Sequence, residues 1–208
     1  MTADTPAKRR VWVLGCGAIA AELTKILGQI EAVDVTVDHL PGILHNRPEQ
    51  IPAAIEQRLL QRADEFDRVI LGYADCGTGG QLDTLLEQWP QVSRLPGAHC
   101  YEFFAGSEAF ASLSDPYTFY LTDYLARHFD LFVWRGLGLD RWPHLLDDYF
   151  HHYRRLVYLS QQPTADLVER AREAAERLGL EFEHVHSGLD PFRGSIVELT
   201  AVGESHVG

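Results

Sequence analysis

Sulfur is scarce in this sequence: 208 residues contain three cysteines and a single methionine. An odd, small cysteine count leaves no complete disulfide framework, which excludes the stapled folds of small secreted proteins. Long apolar runs are missing too, and no stretch approaches the roughly 20 residues of a membrane-spanning helix. The start, Met1-Thr2-Ala3-Asp4-Thr5-Pro6, has acid and proline where a secretory signal carries an apolar core. A cytoplasmic location, where thiols stay reduced, is therefore expected. Basic residues are the third shortage: Lys and Arg number 18 against 30 Asp and Glu, for a formal net charge of −12. Nucleic acid and anionic membrane both call for a basic patch, so neither is an expected partner. The acidity serves solubility; it selects no particular small substrate and is compatible with a homo-oligomer.

What is present is an alternation of β-like and helix-like segments. Hydrophobic residues make up 46% and charged residues 23%, as in an ordinary globular protein. Strands are expected at Val11 to Leu14, Val33 to Val37, Val69 to Tyr73, Arg94-Leu95, Tyr117 to Leu121, Phe129 to Trp134, Leu156 to Leu159 and Leu180 to His186. Helices are expected at Ala18 to Gln29, Ile51 to Arg62, Gly80 to Gln88, His99 to Leu113, Leu145 to Tyr153 and Ala165 to Leu178. The last is marked by Thr164 before it and Gly179 after it. The pattern predicts an α/β protein with an open, mainly parallel sheet and helices on both faces. Residues 10–200 read as one domain, with 135–143 as the place where a second, similar lobe would begin. Residues 1–9 and 201–208 read as flexible ends. Leu14-Gly15-Cys16-Gly17 is echoed by Ala74-Asp75-Cys76-Gly77, a strand, cysteine, glycine, helix pattern that two duplicated units would share.

All three cysteines fall where an expected strand ends. Ligands of open parallel sheets bind along that carboxyl edge, so Cys16, Cys76 and Cys100 are candidates for chemistry. Cys16 and Cys76 each precede a helix, whose dipole would favour thiolate. Three converging thiolates would need a cation between them. Zinc accepts three sulfurs and an exchangeable ligand, and a site-differentiated iron–sulfur cluster also accepts three. Small buried gaps near tight turns are the plainer explanation for any single cysteine. His99, beside Cys100, is a candidate ligand or base, and so is His45 in the loop Leu40-Pro41 to Pro48. Asp75 is a candidate base or a turn cap within the glycine-dense run Asp75-Cys76-Gly77-Thr78-Gly79-Gly80. That run lacks the lysine of a P-loop and the spacing of a dinucleotide fingerprint. Asn46, Arg47, Thr78 and Arg135 are candidate substrate contacts. His151 and His152 point about 100° apart on a helix and read as surface residues.

The segments from Leu40-Pro41 to Leu44-His45-Asn46-Arg47-Pro48, Tyr73 to Gly80, Pro96-Gly97-Ala98-His99-Cys100-Tyr101 and Gly106-Ser107 resemble the DUF1638 family. Tyr117 to Asp123 and Arg135 to Asp140 extend the resemblance, which runs from about Val11 to His186. The family is one of unknown function. The resemblance implies a setting in one-carbon or methylated-amine metabolism and supplies no catalytic residues. Three functions are then weighed. The first is a metalloenzyme for a small polar metabolite, performing alkyl transfer or hydrolysis, with Cys16, Cys76 and Cys100 on the metal and His45 or His99 as fourth ligand or base. The second is an accessory protein that carries a metal or corrinoid-like cofactor to a methyltransferase partner. The third is a metal-free enzyme with a cysteine nucleophile.

Overall fold

In the computed structural model, which describes residues 8–31 and 33–201, the first strand, β1 (Arg10–Cys16), is buried from Val11 to Cys16. Such a run, apolar on both faces, suits only the middle of a parallel sheet covered on both sides. Its neighbours are β2 (Asp34–Leu40) and β3 (Arg68–Gly72), and β4 (Val92–Arg94) completes the wholly parallel order β2-β1-β3-β4. The crossover helices are α1 (Ala20–Leu27), α2 (Ile51–Arg62) and α3 (Gln81–Leu86). On one face, Gly15 and Gly72 lie side by side in register, and the missing side chains let α1 settle onto the sheet. A Cβ on Gly72 would stand 2.9 Å from the Gly15 Cα, and one on Gly15 would stand 2.8 Å from Leu23 Cδ2. On the other face the Trp12 indole N–H donates to Asp38 Oδ2 at 3.0 Å. The Arg62 guanidinium, at the end of α2, lies 5.5 Å from that ring. Chain order reverses between β1 and β3, which opens a crevice at their carboxyl ends.

These elements form one unit, made of the residues up to Ala98 with those from Arg193 onward; His99–Phe192 form a second. The second unit holds another wholly parallel sheet, β5 (Thr118–Leu121), β6 (Arg155–Ser160) and β7 (Glu181–His186), in sequence order. Strands in sequence order place their crossovers on one face. There α6 (Asp123–Arg127), α7 (Leu145–Phe150) and α8 (Ala165–Leu178) bury Leu125, Phe150, Ala171 and Ala174 with Leu121, Leu156 and Tyr158. α8 begins and ends where its sequence says: the Thr164 hydroxyl accepts from the Leu167 N–H at 3.2 Å, and Gly179 closes the helix with φ of +72°. The other face is covered by α4 (Cys100–Ala105) and α5 (Ser107–Leu113), whose Tyr101 and Phe110 rings pack on Tyr120.

The α/β class with parallel sheets holds, and several details differ. The expected helix from His99 to Leu113 is two helices, because Gly106 turns the chain with φ of +83°. The expected strand from Phe129 to Trp134 is a wide helical turn, Asp130–Trp134, in which the Arg135 N–H reaches back to Asp130 O at 2.8 Å. Four consecutive apolar residues fit a strand or a buried turn equally well. One helix was not expected: α9 (Asp190–Ala201), with Pro191 in its first turn and Phe192 and Ile196 buried one turn apart. The two cysteine-glycine turns sit on neighbouring strands of the first unit, so their echo does not mark two lobes. Residues 135–143 lie inside the second unit. Of the ends expected to be flexible, 1–9 and 201–208, residues 1–7 and 202–208 lie outside the described residues, and Ala201 is the last residue of α9. Among the described residues no helix is long and apolar enough to cross a membrane.

Candidate functional site

Cys16 is the last residue of β1, and its buried Sγ accepts a hydrogen bond from the Ala18 N–H at 3.4 Å. Leu14 pairs with Leu71 in register, and side chains alternate along a strand. Tyr73, two residues past Leu71, therefore faces the same side as Cys16. Tyr73 is 1% exposed, and its hydroxyl is buried without a hydrogen-bond partner. That hydroxyl lies close to both the Cys16 and Cys76 thiols; its approach to Cys16 is near enough to favour that thiolate, yet it is not a well-formed hydrogen bond, and the hydroxyl has no other partner. Both cysteines are free thiols. The end of β1 and the turn after β3 thus bring two sulfurs and an unsatisfied phenol to the switch point of the sheet.

Burial opposes the thiolates that helix dipoles would favour. Burial pushes the Cys16 thiol up, with the Ala18 amide and the Tyr73 hydroxyl offsetting it in part. Burial and then the nearby Cys16 push Cys76 up to about 12. The Tyr73 phenol is raised by burial first and by the two cysteines next. Desolvation wins because the dipole acts only within the first turn of a helix. After Cys16 comes a three-residue 3-10 turn, Gly17–Ile19, and α3 starts only at Gln81.

The turn that carries Cys76 is built around Asp75. Its carboxylate accepts from Thr78 Oγ1 at 2.7 Å, Gly80 N at 2.8 Å and Gly79 N at 3.1 Å. Asp75 and Thr78 therefore close the turn on themselves, as a cap does. These bonds hold the Asp75 carboxyl below its ordinary value, the Thr78 hydroxyl contributing most. Among the described residues Cys76 is the one non-glycine residue with positive φ, +53°. That conformation costs a side-chain-bearing residue about 1 kcal/mol or more. Here it is imposed from outside the turn, by Cys76 N donating to Ala98 O at 2.8 Å and Asp75 N to Gly97 O at 3.1 Å. The Arg94 guanidinium supports the same strand end through Leu95 O at 2.8 Å, and it attracts both Asp75 and Cys76.

The loop after β2 completes the crevice. It contains the 3-10 turns Gly42–Asn46 and Pro48–Gln50. A Cβ on Gly17 would stand 2.9 Å from Gly42 N, and one on Gly77 would stand 3.4 Å from Pro48 Cβ. The loop therefore lies against both cysteine turns, with His45 half-buried and Asn46 and Arg47 exposed. The remaining candidates belong to the second unit. His99 is exposed in the N-cap position of α4, Cys100 is its half-buried first residue, and Arg135 is exposed with its Nε donating to Asp130 O at 3.3 Å. Among the described residues no group of three or more His, Cys, Asp and Glu side chains is arranged to hold a metal ion. A cation in the first unit would rest on Cys16 and Cys76, with the Tyr73 oxygen as the further protein donor.

Tyr73 and Arg94 were not among the candidates read from the sequence. The signal for Tyr73 is its position two residues beyond the strand's apolar core, which places it on a defined face only once the β1–β3 register is known.

A protein-family model matches the chain over residues 39–196. The chain belongs to the DUF1638 family. That family is described as proteins of unknown function. The DUF1638 match takes in the His45 loop, the Cys76 turn and the His99-Cys100 pair, and it begins after Cys16. No curated protein and no solved structure matches the chain.

Proposed function

We propose that this DUF1638 protein is a cytoplasmic zinc-dependent enzyme that acts on a small polar metabolite at the switch point of its first sheet, with Cys16 and Cys76 as thiolate ligands. The observation that carries the reading is the buried Tyr73 hydroxyl without a partner beside two free thiols. An unsatisfied buried hydroxyl costs about 1–3 kcal/mol. A bound ion or substrate oxygen in the crevice would recover that cost. Zinc suits the donor set because thiolates are its preferred sulfur ligands and it tolerates an open position for substrate. When bound, it would serve as a Lewis acid for hydrolysis or for alkyl transfer to a thiol. His45 is then the base, and Asn46 and Arg47 are the polar contacts to substrate. Cobalt substitution tests this: a thiolate-to-cobalt charge-transfer band is expected in the near ultraviolet, lost in Cys16→Ser and in Cys76→Ser. Cobalt bound without that band would refute the sulfur ligation.

A second reading has its own support. The positive φ of Cys76 on a strand-to-helix turn is how a strained elbow presents a nucleophile. In that reading Cys76 attacks substrate with no metal. Rapid alkylation of Cys76 in chelator-treated protein would favour it over zinc.

A further inference from the structure

The carboxyl edge of the second sheet holds a separate polar cluster. Tyr158 pairs with His184 and Ser160 with His186 in the β6–β7 register, so both histidines share one face of the strand. The Ser160 hydroxyl is completely buried, and two ring nitrogens converge on it: His184 Nε2 at 2.9 Å and His186 Nδ1 at 3.2 Å. β7 is the outer strand of the order β5-β6-β7, and both imidazoles are exposed to solvent. The rings are also held in place. Tyr158 stacks under His184 with centroids 5.0 Å apart, and its hydroxyl donates to Asp123 Oδ1 at 2.7 Å. Asp123 is fixed in turn by the backbone N–H groups of Gln162 at 2.7 Å and Gln161 at 3.2 Å.

We propose that His184 and His186, converging over the Ser160 hydroxyl, form a binding site for a divalent transition-metal ion of the zinc class. Two imidazoles aimed at one point are a chelate whose ordering cost is already met by the fold. The hydroxyl donates to one ring and accepts from the N–H of the other, which keeps both nitrogens facing inward; a metal takes that second ring in its other tautomer, with the proton moved through solvent to the outward nitrogen. Imidazole selects zinc, copper and nickel over magnesium or calcium, which prefer oxygen. Exposure leaves the remaining coordination positions to water or to a ligand carried by a partner. The Ser160 hydroxyl, once released from a ring, can bond to such a metal-bound water. The site does not depend on the thiol site of the first unit.

Zinc titration into the full-length chain, followed by calorimetry, tests the proposal in a Cys16→Ser/Cys76→Ser background, where the thiol site of the first unit contributes nothing. One saturable site per chain is expected. It should weaken at least about tenfold in His184→Ala and in His186→Ala, and persist in Ser160→Ala. If the double-serine background does not fold, the imidazole resonances of the wild-type chain supply the readout. His184 and His186 should then shift together with zinc while His151 and His152 stay put. Zinc binding that both histidine substitutions leave intact, shifts confined to His151 and His152, or no saturable binding would each overturn the site.

Discussion

Cys76 and Tyr73 carry the account at the scale of single residues, and both owe their character to burial. A thiol held near 12 is almost wholly protonated at pH 8, so Cys76 in the folded, chelator-treated protein should alkylate slowly. Peptide-level mass spectrometry should show labelling of Cys76 at least about tenfold slower than in urea. Equal rates would mean that the thiol is neither buried nor shielded. Asp75 gives the pH prediction. Its carboxyl is depressed, the Thr78 hydroxyl being the largest cause, so its contribution to stability is complete above the unfolded value near 3.9. That contribution is lost as pH falls through the lower folded value. Urea unfolding should therefore find Asp75→Asn less stable than wild type at pH 7, with the gap closing below about pH 4. A gap that stays constant to pH 2.5 would remove the carboxylate from the turn's support. The positions of Cys16 and Cys76 were legible in sequence because a thiol before glycine after an apolar run marks a strand end, whereas Cys100, expected at a strand end too, is the first residue of α4. Tyr73 was not, since an aromatic at a strand end looks like core until its orphaned hydroxyl is seen.

At the scale of elements, the paired glycines of β1 and β3 decide how closely α1 can approach. Gly72→Ala would place a Cβ 2.9 Å from the Gly15 Cα, a backbone atom that cannot rotate away. A loss of about 2 kcal/mol is expected, read as a lower urea midpoint with unchanged slope. An alanine variant as stable as wild type would show that the strands have room to part. The sequence was a good guide wherever an element carried end signals: Thr164 and Gly179 bracket α8 in the structure as they do on paper. It failed where signals were short or absent. The Leu131-Phe132-Val133-Trp134 run offers no period to separate strand from turn, and Gly106 splits a helix that its flanking apolar residues would continue. The start of α9 is marked by Asp190-Pro191, an acid and a proline in the first turn.

For the whole molecule, strand and helix alternation revealed the α/β class but not its division. Two parallel sheets, of four and three strands, are each completed by helical crossovers, and nothing in composition separates them. The switch point was likewise invisible until strand order was known, because it depends on β3 pairing with β1 rather than with β2. That pairing is what brings the Cys76 turn beside Cys16, residues far apart in the chain. The central claim is that these two sulfurs hold zinc. Zinc-edge X-ray absorption on the untagged, full-length protein tests it most directly. Two sulfur scatterers at about 2.3 Å are expected, both lost in the Cys16→Ser/Cys76→Ser variant. A zinc shell of nitrogen and oxygen alone, or one that keeps its sulfur in that variant, would contradict it.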